Sequence, residues 1–393
     1  MKRSARSRRE FLKLLGVSAA SVSTLRANPS MLLPPEAVTL YVGTYTSGKS
    51  EGIYVYRMNR TTGELKHLKT VKGVVDPSFL SIDSKGRYLF AVNEMIEFAG
   101  KPGGAVSSFR IDGKDGNLKF LNQEASLGGA PCHVIVDATD RFVLLANYLG
   151  GNLSVLPIRD DGSLGPASDM VQHRGSSINK ERQEAPHAHC IILDPANQHA
   201  FAADLGLDKI MIYRFDPQKG KLTTGKQPWA QLKPGAGPRH FKLHPNGRFA
   251  YVINELDSTV TGFNYHRTKG TLSTVGSVST LPEDFSGKNS CADLHIAPSG
   301  RFLYGSNRGH DSITVFAIDE SNGSLNPVQH VSTQGKTPRN FAIDPSGRFL
   351  LAANQASDTI VTFQIDQESG RLTATGHVAE VPTPVCLLFG RVT

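Results

Sequence analysis

One phrase recurs along this chain with a period in the 40s to 50s, and it constrains the fold more than any other feature. Its clearest copy reads PRHFKLHPNGRFAYVINELDSTVTGF, residues 238–263. Two short strand patterns flank an Asn-Gly turn, and a polar turn leads to a third strand. The phrase returns as PSFLSIDSKGRYLFAVNE from Pro77, PCHVIVDATDRFVLLANY from Pro131 and PHAHCIILDPANQHAFAAD from Pro186. It appears again as CADLHIAPSGRFLYGSNR from Cys291 and PRNFAIDPSGRFLLAANQ from Pro338. Each unit continues into a turn and the start of a fourth strand: TTGEL, DGNL, DGSL, KGKL, KGTL, NGSL and SGRL. Such glycine pairs place positive φ angles in tight turns.

The two ends complement each other. TLYVGTY at 39–45 matches the second strand of a unit, so the first unit lacks its leading strand, while TPVCLLF at 383–389 is a leading strand with nothing after it. Pairing these ends closes a ring and removes the exposed edges of an open array. The expected fold is therefore all-β: a seven-bladed β-propeller closed by N- and C-terminal strands in one sheet. Residues 38–393 divided by seven give roughly 50 per blade, enough for four strands. The 38 glycines and 22 prolines suit many short strands and turns.

The net charge of +8 does not mark a nucleic-acid binder, because residues 1–27 hold seven Lys/Arg against one acid and leave +2 for the rest. That segment, MKRSARSRREFLKLLGVSAASVSTLRA, has a basic start, Arg8-Arg9 before Phe11-Leu12-Lys13, and a weakly apolar run too short to span a bilayer. It resembles a twin-arginine export signal. The expected organisation is an export signal at 1–27, a linker at 28–37 and the propeller at 38–393. The expected location is periplasmic or extracellular, with the twin-arginine machinery as partner and no stable membrane insertion. Cys132, Cys190, Cys291 and Cys386 fall in four different units and match no zinc spacing, so free thiols are expected.

A repeat permits comparison within one sequence. The second strand ends in Asn or Asp in every unit (Asn93, Asn147, Asp204, Asn254, Asn307, Asn354), which marks a structural hydrogen-bonding position. The next residue varies, and is charged at Glu94, Glu255 and Arg308. Just past the leading proline, the units differ as Cys132-His133, His187 or His189, Arg239-His240, Ala292-Asp293 and Arg339-Asn340. If these positions face the central channel, they assemble carboxylate, imidazole and guanidinium groups suited to an anionic substrate. Glu or His would then serve as general base. Two non-repetitive loops, residues 172–183 and 281–290, are candidates for shaping the site. No HExxH motif occurs; the GxxxxGKS and GxSxG spellings within residues 43–52 fall in a polar turn between two strand patterns, not in a strand-to-helix phosphate loop or nucleophile elbow, and no cofactor is expected. A channel cation would draw on Asn254, Glu255 and Asp293, against the opposing charge of the arginines.

The motifs YVGTYT at 41–46, PHAH at 186–189, DLGLDKI at 204–210, GPRH at 237–240, NEL at 254–256 and SNRGHDSI at 306–313 together resemble the lactonase family of seven-bladed propellers. That family includes bacterial 6-phosphogluconolactonases and fungal carboxy-muconate cycloisomerases. The resemblance covers the chain downstream of the leader and implies hydrolysis of a sugar lactone to the open-chain aldonic acid. It implies a catalytic set of Glu255, Arg239, Arg308 and either His187 or His189. His240, Glu94, Arg339 and His133 are the expected substrate-binding residues. Alternatives are a muconate-type cycloisomerase and a non-catalytic ligand-binding propeller. An export signal sits poorly with a phosphorylated cytoplasmic lactone, so the substrate can differ from the family's while the fold is shared.

Overall fold

The computed structural model describes residues 36–113 and 115–391. The expected export signal at 1–27 and the linker up to residue 35 lie outside them. The described chain forms seven four-stranded antiparallel sheets, and in six of them the strands run from inner to outer in sequence order. Blade 3 is representative: Pro131–Val136 lies innermost, followed by Phe142–Asn147, Asn152–Pro157 and the outer Asp169–Gln172. Blade 1 is the composite. Its inner strand is the C-terminal Pro384–Phe389, paired with the N-terminal Ala37–Thr44 in the register Tyr41↔Leu388 and Gly43↔Cys386. The ring closes as the complementary ends require.

Burial follows position in the blade. Second strands such as FVLLAN, FAYVIN and FLLAAN are buried along their whole length, because both faces of a blade pack against neighbours. Outer strands alternate, as at Asp169–Gln172, since one face meets solvent. The core is divided accordingly. Each of seven apolar clusters straddles two adjacent blades; one joins Phe201 and Ile212 to Phe241 and Phe263, and another joins Val42 and Met58 to Leu351 and Ile360.

The recurrent turn glycine serves this packing as well as the turn. Gly220, Gly323 and Gly370 all have positive φ. A Cβ on them would stand 2.2 Å from Phe142, 2.5 Å from Phe249 and 2.4 Å from Phe302, aromatics of the preceding blade. The second-strand Asn is also a cross-link. Asn307 is buried, and its amide donates to Thr280 O, Ser312 Oγ and Thr314 Oγ1, tying its strand to the next and to the incoming loop.

Inner strands carry the feature that builds a site. In blades 3 to 7 the register slips at the start of the strand: between Pro131 and His133, Ala188 and Cys190, Pro238 and His240, Cys291 and Leu294, and Pro338 and Asn340. At such a bulge the inner strand carries an extra residue against its neighbour. The register makes Cys132, His189, Arg239, Ala292 and Arg339 equivalent, with His133, Cys190, His240, Asp293 and Asn340 one step deeper. No helix among the described residues is long and apolar enough to cross a membrane.

Candidate active site

At one mouth of the channel, Glu94, Tyr148, Arg182, His189, Glu255, Arg308 and Arg339 line a cavity of about 290 Å³. A small polar chamber adjoins it, sharing Glu94, His189 and Arg339 and adding Ser78, Arg239 and His240. The residues after the second strand (Glu94, Tyr148, Glu255, Arg308) form the rim, and the bulge residues form the wall beneath.

Glu255 is the hub. Its Oε1 lies 2.6 Å from Arg182 Nη2, and its Oε2 lies 3.0 Å from Arg239 Nε and 2.9 Å from Arg308 Nη2. Burial by itself would raise the Glu255 pKa, but the guanidiniums of Arg308, Arg239 and Arg182 together outweigh it and hold the carboxyl at about 2. The positive charge is in excess, and Arg239 shows it. Burial first, and then Arg339 and Arg308, bring its pKa down to about 10 despite the carboxylate. Arg239 also donates through Nη1 to Ala292 O, and Arg308 through Nη2 to Cys291 O at 2.8 Å, so both guanidiniums are fixed to the frame. Arg339 differs. Its guanidinium lies 5.4 Å from the centre of the Tyr45 ring and has no hydrogen-bond or ion-pair partner among the described residues. Glu94 is fixed by the Tyr45 hydroxyl, which donates to Oε2 at 2.9 Å. Four guanidiniums against two carboxylates give the walls an excess of two positive charges.

The imidazoles divide sharply. His187 stands off the cavity: its ring stacks on Tyr148 at 4.5 Å, its Nε2 meets Glu184 Oε1 at 3.0 Å and its Nδ1 meets Tyr148 O at 3.1 Å. His189 occupies the position equivalent to Arg239 and lines both spaces. Burial, then Arg239 and His240, hold it well below the usual histidine range, so it is neutral. His133 lies deeper, with its ring 4.2 Å from Phe79 and 5.5 Å from His240, and lines neither space. His240 Nδ1 donates to Asp293 Oδ1 at 2.6 Å.

Arg182 was not singled out by the repeat, though its loop was. The loop is pinned by Gln183 Nε2 donating to Leu205 O at 2.8 Å and Ser177 Oγ donating to Asp208 Oδ2 at 2.6 Å. Its His173 pairs at 2.5 Å with Asp204, the Asp that stands where other blades have Asn. The second loop, 281–290, ends at Ser290 on the cavity wall. Of the groups expected to hold a cation, Glu255 is engaged by three arginines and Asp293 by His240, His295 and Asn340, while the buried Oδ1 of Asn254 has no hydrogen-bond partner. No group of three or more His, Cys, Asp or Glu suited to a metal occurs among the described residues. All four cysteines are buried and free.

Known proteins resemble this chain in sequence and fold. The family model for the seven-bladed β-propeller lactonases matches residues 39–389. A 6-phosphogluconolactonase of Bacillus subtilis is 39% identical over 350 residues, covering 89% of this chain and 97% of that protein. A 6-phosphogluconolactonase of Formosa agariphila is 37% identical over 309 residues, covering 78% and 86% respectively. Among solved structures, the periplasmic gluconolactonase PpgL of Pseudomonas aeruginosa superposes with a TM-score of 0.85 at 37% identity, covering 91% of this chain and 100% of that one. The chain belongs to the lactonase family of seven-bladed β-propellers.

Proposed function

We propose that this lactonase opens an unphosphorylated sugar lactone of the gluconolactone type outside the cytoplasm. The observation that carries the reaction is the uncommitted guanidinium of Arg339 beside Arg308, which is fixed by Glu255, on the wall of a cavity of about 290 Å³. Fixed positive donors in a partly dry site stabilise the oxyanion that develops when water adds to an ester carbonyl. Glu255, a carboxylate with a pKa of about 2, is a poor base and a good lock: it sets three guanidiniums in place before substrate arrives. Proton acceptance then falls to a neutral imidazole facing the channel. The choice of a plain lactone rests on the leader at 1–27, which reads as an export signal, and on the likeness to PpgL, a periplasmic gluconolactonase.

The test is an assay of the purified protein against gluconolactone, 6-phosphogluconolactone and a muconate. Gluconolactone should open faster than it does spontaneously, and Arg308→Ala should lose about 10²–10³-fold in kcat/KM while staying folded. Preference for the phosphorylated lactone would refute the substrate, and lactone formation from the diacid would refute the reaction.

A further inference from the structure

Glu255 and His187 are committed to protein partners, which leaves the identity of the base open. A general base must be held by a third group that fixes its tautomer, and its free nitrogen must face a place where water can sit. His189 lacks the first: its Nδ1 is buried without a hydrogen-bond partner. His240 has both. Its Nδ1–H donates to Asp293 at 2.6 Å, which leaves Nε2 as the free nitrogen of a ring that lines the small chamber. That chamber leaves about 10 Å³ to the centre of a water molecule, room for about one. It adjoins the main cavity through His189 and Arg339, where the lactone carbonyl would lie.

Asp293 is built as an orienting anion. Its Oδ1 also accepts from Leu294 N at 2.8 Å, and its Oδ2 meets His295 Nε2 at 3.0 Å and Asn340 Nδ2 at 2.5 Å. Burial would raise its pKa, but His295 and His240 hold it well below the usual carboxylate range. Among equivalent bulge positions it is the only acid, against His133, Cys190, His240 and Asn340.

We propose that His240 is the catalytic base of lactone opening, acting on a water in the small chamber, and that Asp293 is its positioning residue. The proposal rests on the lactone-hydrolysis reading above. Water gives a proton to His240 Nε2 as its oxygen adds to the carbonyl carbon, and the oxyanion forms against Arg339 and Arg308. The ring C–O bond then breaks and the proton returns from the imidazolium to the departing ring oxygen. One water is consumed and no other reactant is needed. The charged and titratable groups facing His240 are His133, His189, Arg239, Lys242 and Asp293, with Glu94, Cys132 and Arg339 across the shared chamber. Burial lowers its pKa most, Asp293 opposes that, and the result is about 4. The base is therefore unprotonated above that pH.

The experiment measures kcat and KM for gluconolactone from pH 3 to 8 in the wild type, His240→Gln and Asp293→Asn, with folding followed by circular dichroism. The wild type should lose activity as pH falls through about 4. His240→Gln should lose about 100-fold or more in kcat, keep KM within about threefold and show no such limb. Asp293→Asn removes the anion that raises the His240 pKa, so its limb should move to lower pH, with kcat again down about 100-fold or more. A His240→Gln enzyme within about threefold of wild-type kcat overturns the proposal. If His240→Gln does not fold, the other two profiles decide. A wild-type limb near pH 4 that moves to lower pH in Asp293→Asn, or below the measured range, supports the base; a wild-type profile without the limb, or a limb unmoved in Asp293→Asn, overturns it. A wild type that opens no lactone removes the reaction and the base with it, whereas an active wild type with an active His240→Gln removes only the base.

Discussion

Replacing Glu255 by Gln should destabilise the protein by an amount that disappears in acid. The carboxylate is 7% exposed and touches three guanidiniums, so its loss leaves Arg182, Arg239 and Arg308 repelling one another without a counter-charge. The fall in pKa from 4.5 to about 2 corresponds to about 3 kcal/mol. Breaking a buried pair from one side gives a similar range, about 3–5 kcal/mol. The sign follows from the depressed folded-state pKa: this stability is fully present above 4.5 and is lost as pH falls towards 2. A domain of about 350 residues unfolds with an entropy near 0.75 kcal/mol/K, so about 3 kcal/mol is a Tm decrease of about 4 °C. Thermal melts of wild type and Glu255→Gln at pH 7 and at pH 3 measure it directly. The gap should be about 4 °C at pH 7 and clearly smaller at pH 3. A gap that is absent at pH 7, or unchanged at pH 3, would refute the account of Glu255 as a charge lock.

Gly323→Ala should lower stability by at least about 1 kcal/mol, because the new Cβ meets the Phe249 ring at 2.5 Å on a backbone with φ of 78°; chemical denaturation reads this, and an unchanged midpoint would count against the inter-blade role of the turn glycines. Arg8-Arg9→Lys-Lys should hold the protein in the cytoplasm of a producing cell, as fractionation would show; unchanged location would remove the twin-arginine reading.

The blade count, the ring closure and the second-strand Asn positions were legible because each depends on local order: strand period, turn residues and a phrase repeated about every 50 residues. Repetition also exposed Arg239, Glu255 and Arg308, which stand out as departures from a shared pattern. The same method reached its limit at PHAH, where two histidines compete for one place. The bulge register settles that, making His189 and not His187 the counterpart of Arg239. Arg182 has no counterpart to be compared with, since it comes from an unrepeated loop. The turn glycine was readable as a turn residue, but the aromatic that needs its missing Cβ lies in the preceding blade.

The chain's own order thus determined a closed ring of seven blades, because strand pairing inside each blade joins neighbours in sequence and only one pairing joins the two ends. The tertiary structure decided which side chains meet at the channel. Glu255 meets Arg182, Arg239 and Arg308 from different blades and a loop, and His240 meets Asp293 across a blade boundary. Those partnerships depend on which side chains the inner-strand bulges bring to the channel and on how a buried carboxylate offsets the guanidiniums packed around it. Neither is written in local periodicity; both follow from burial, where an unpaired charge costs far more than it would in water.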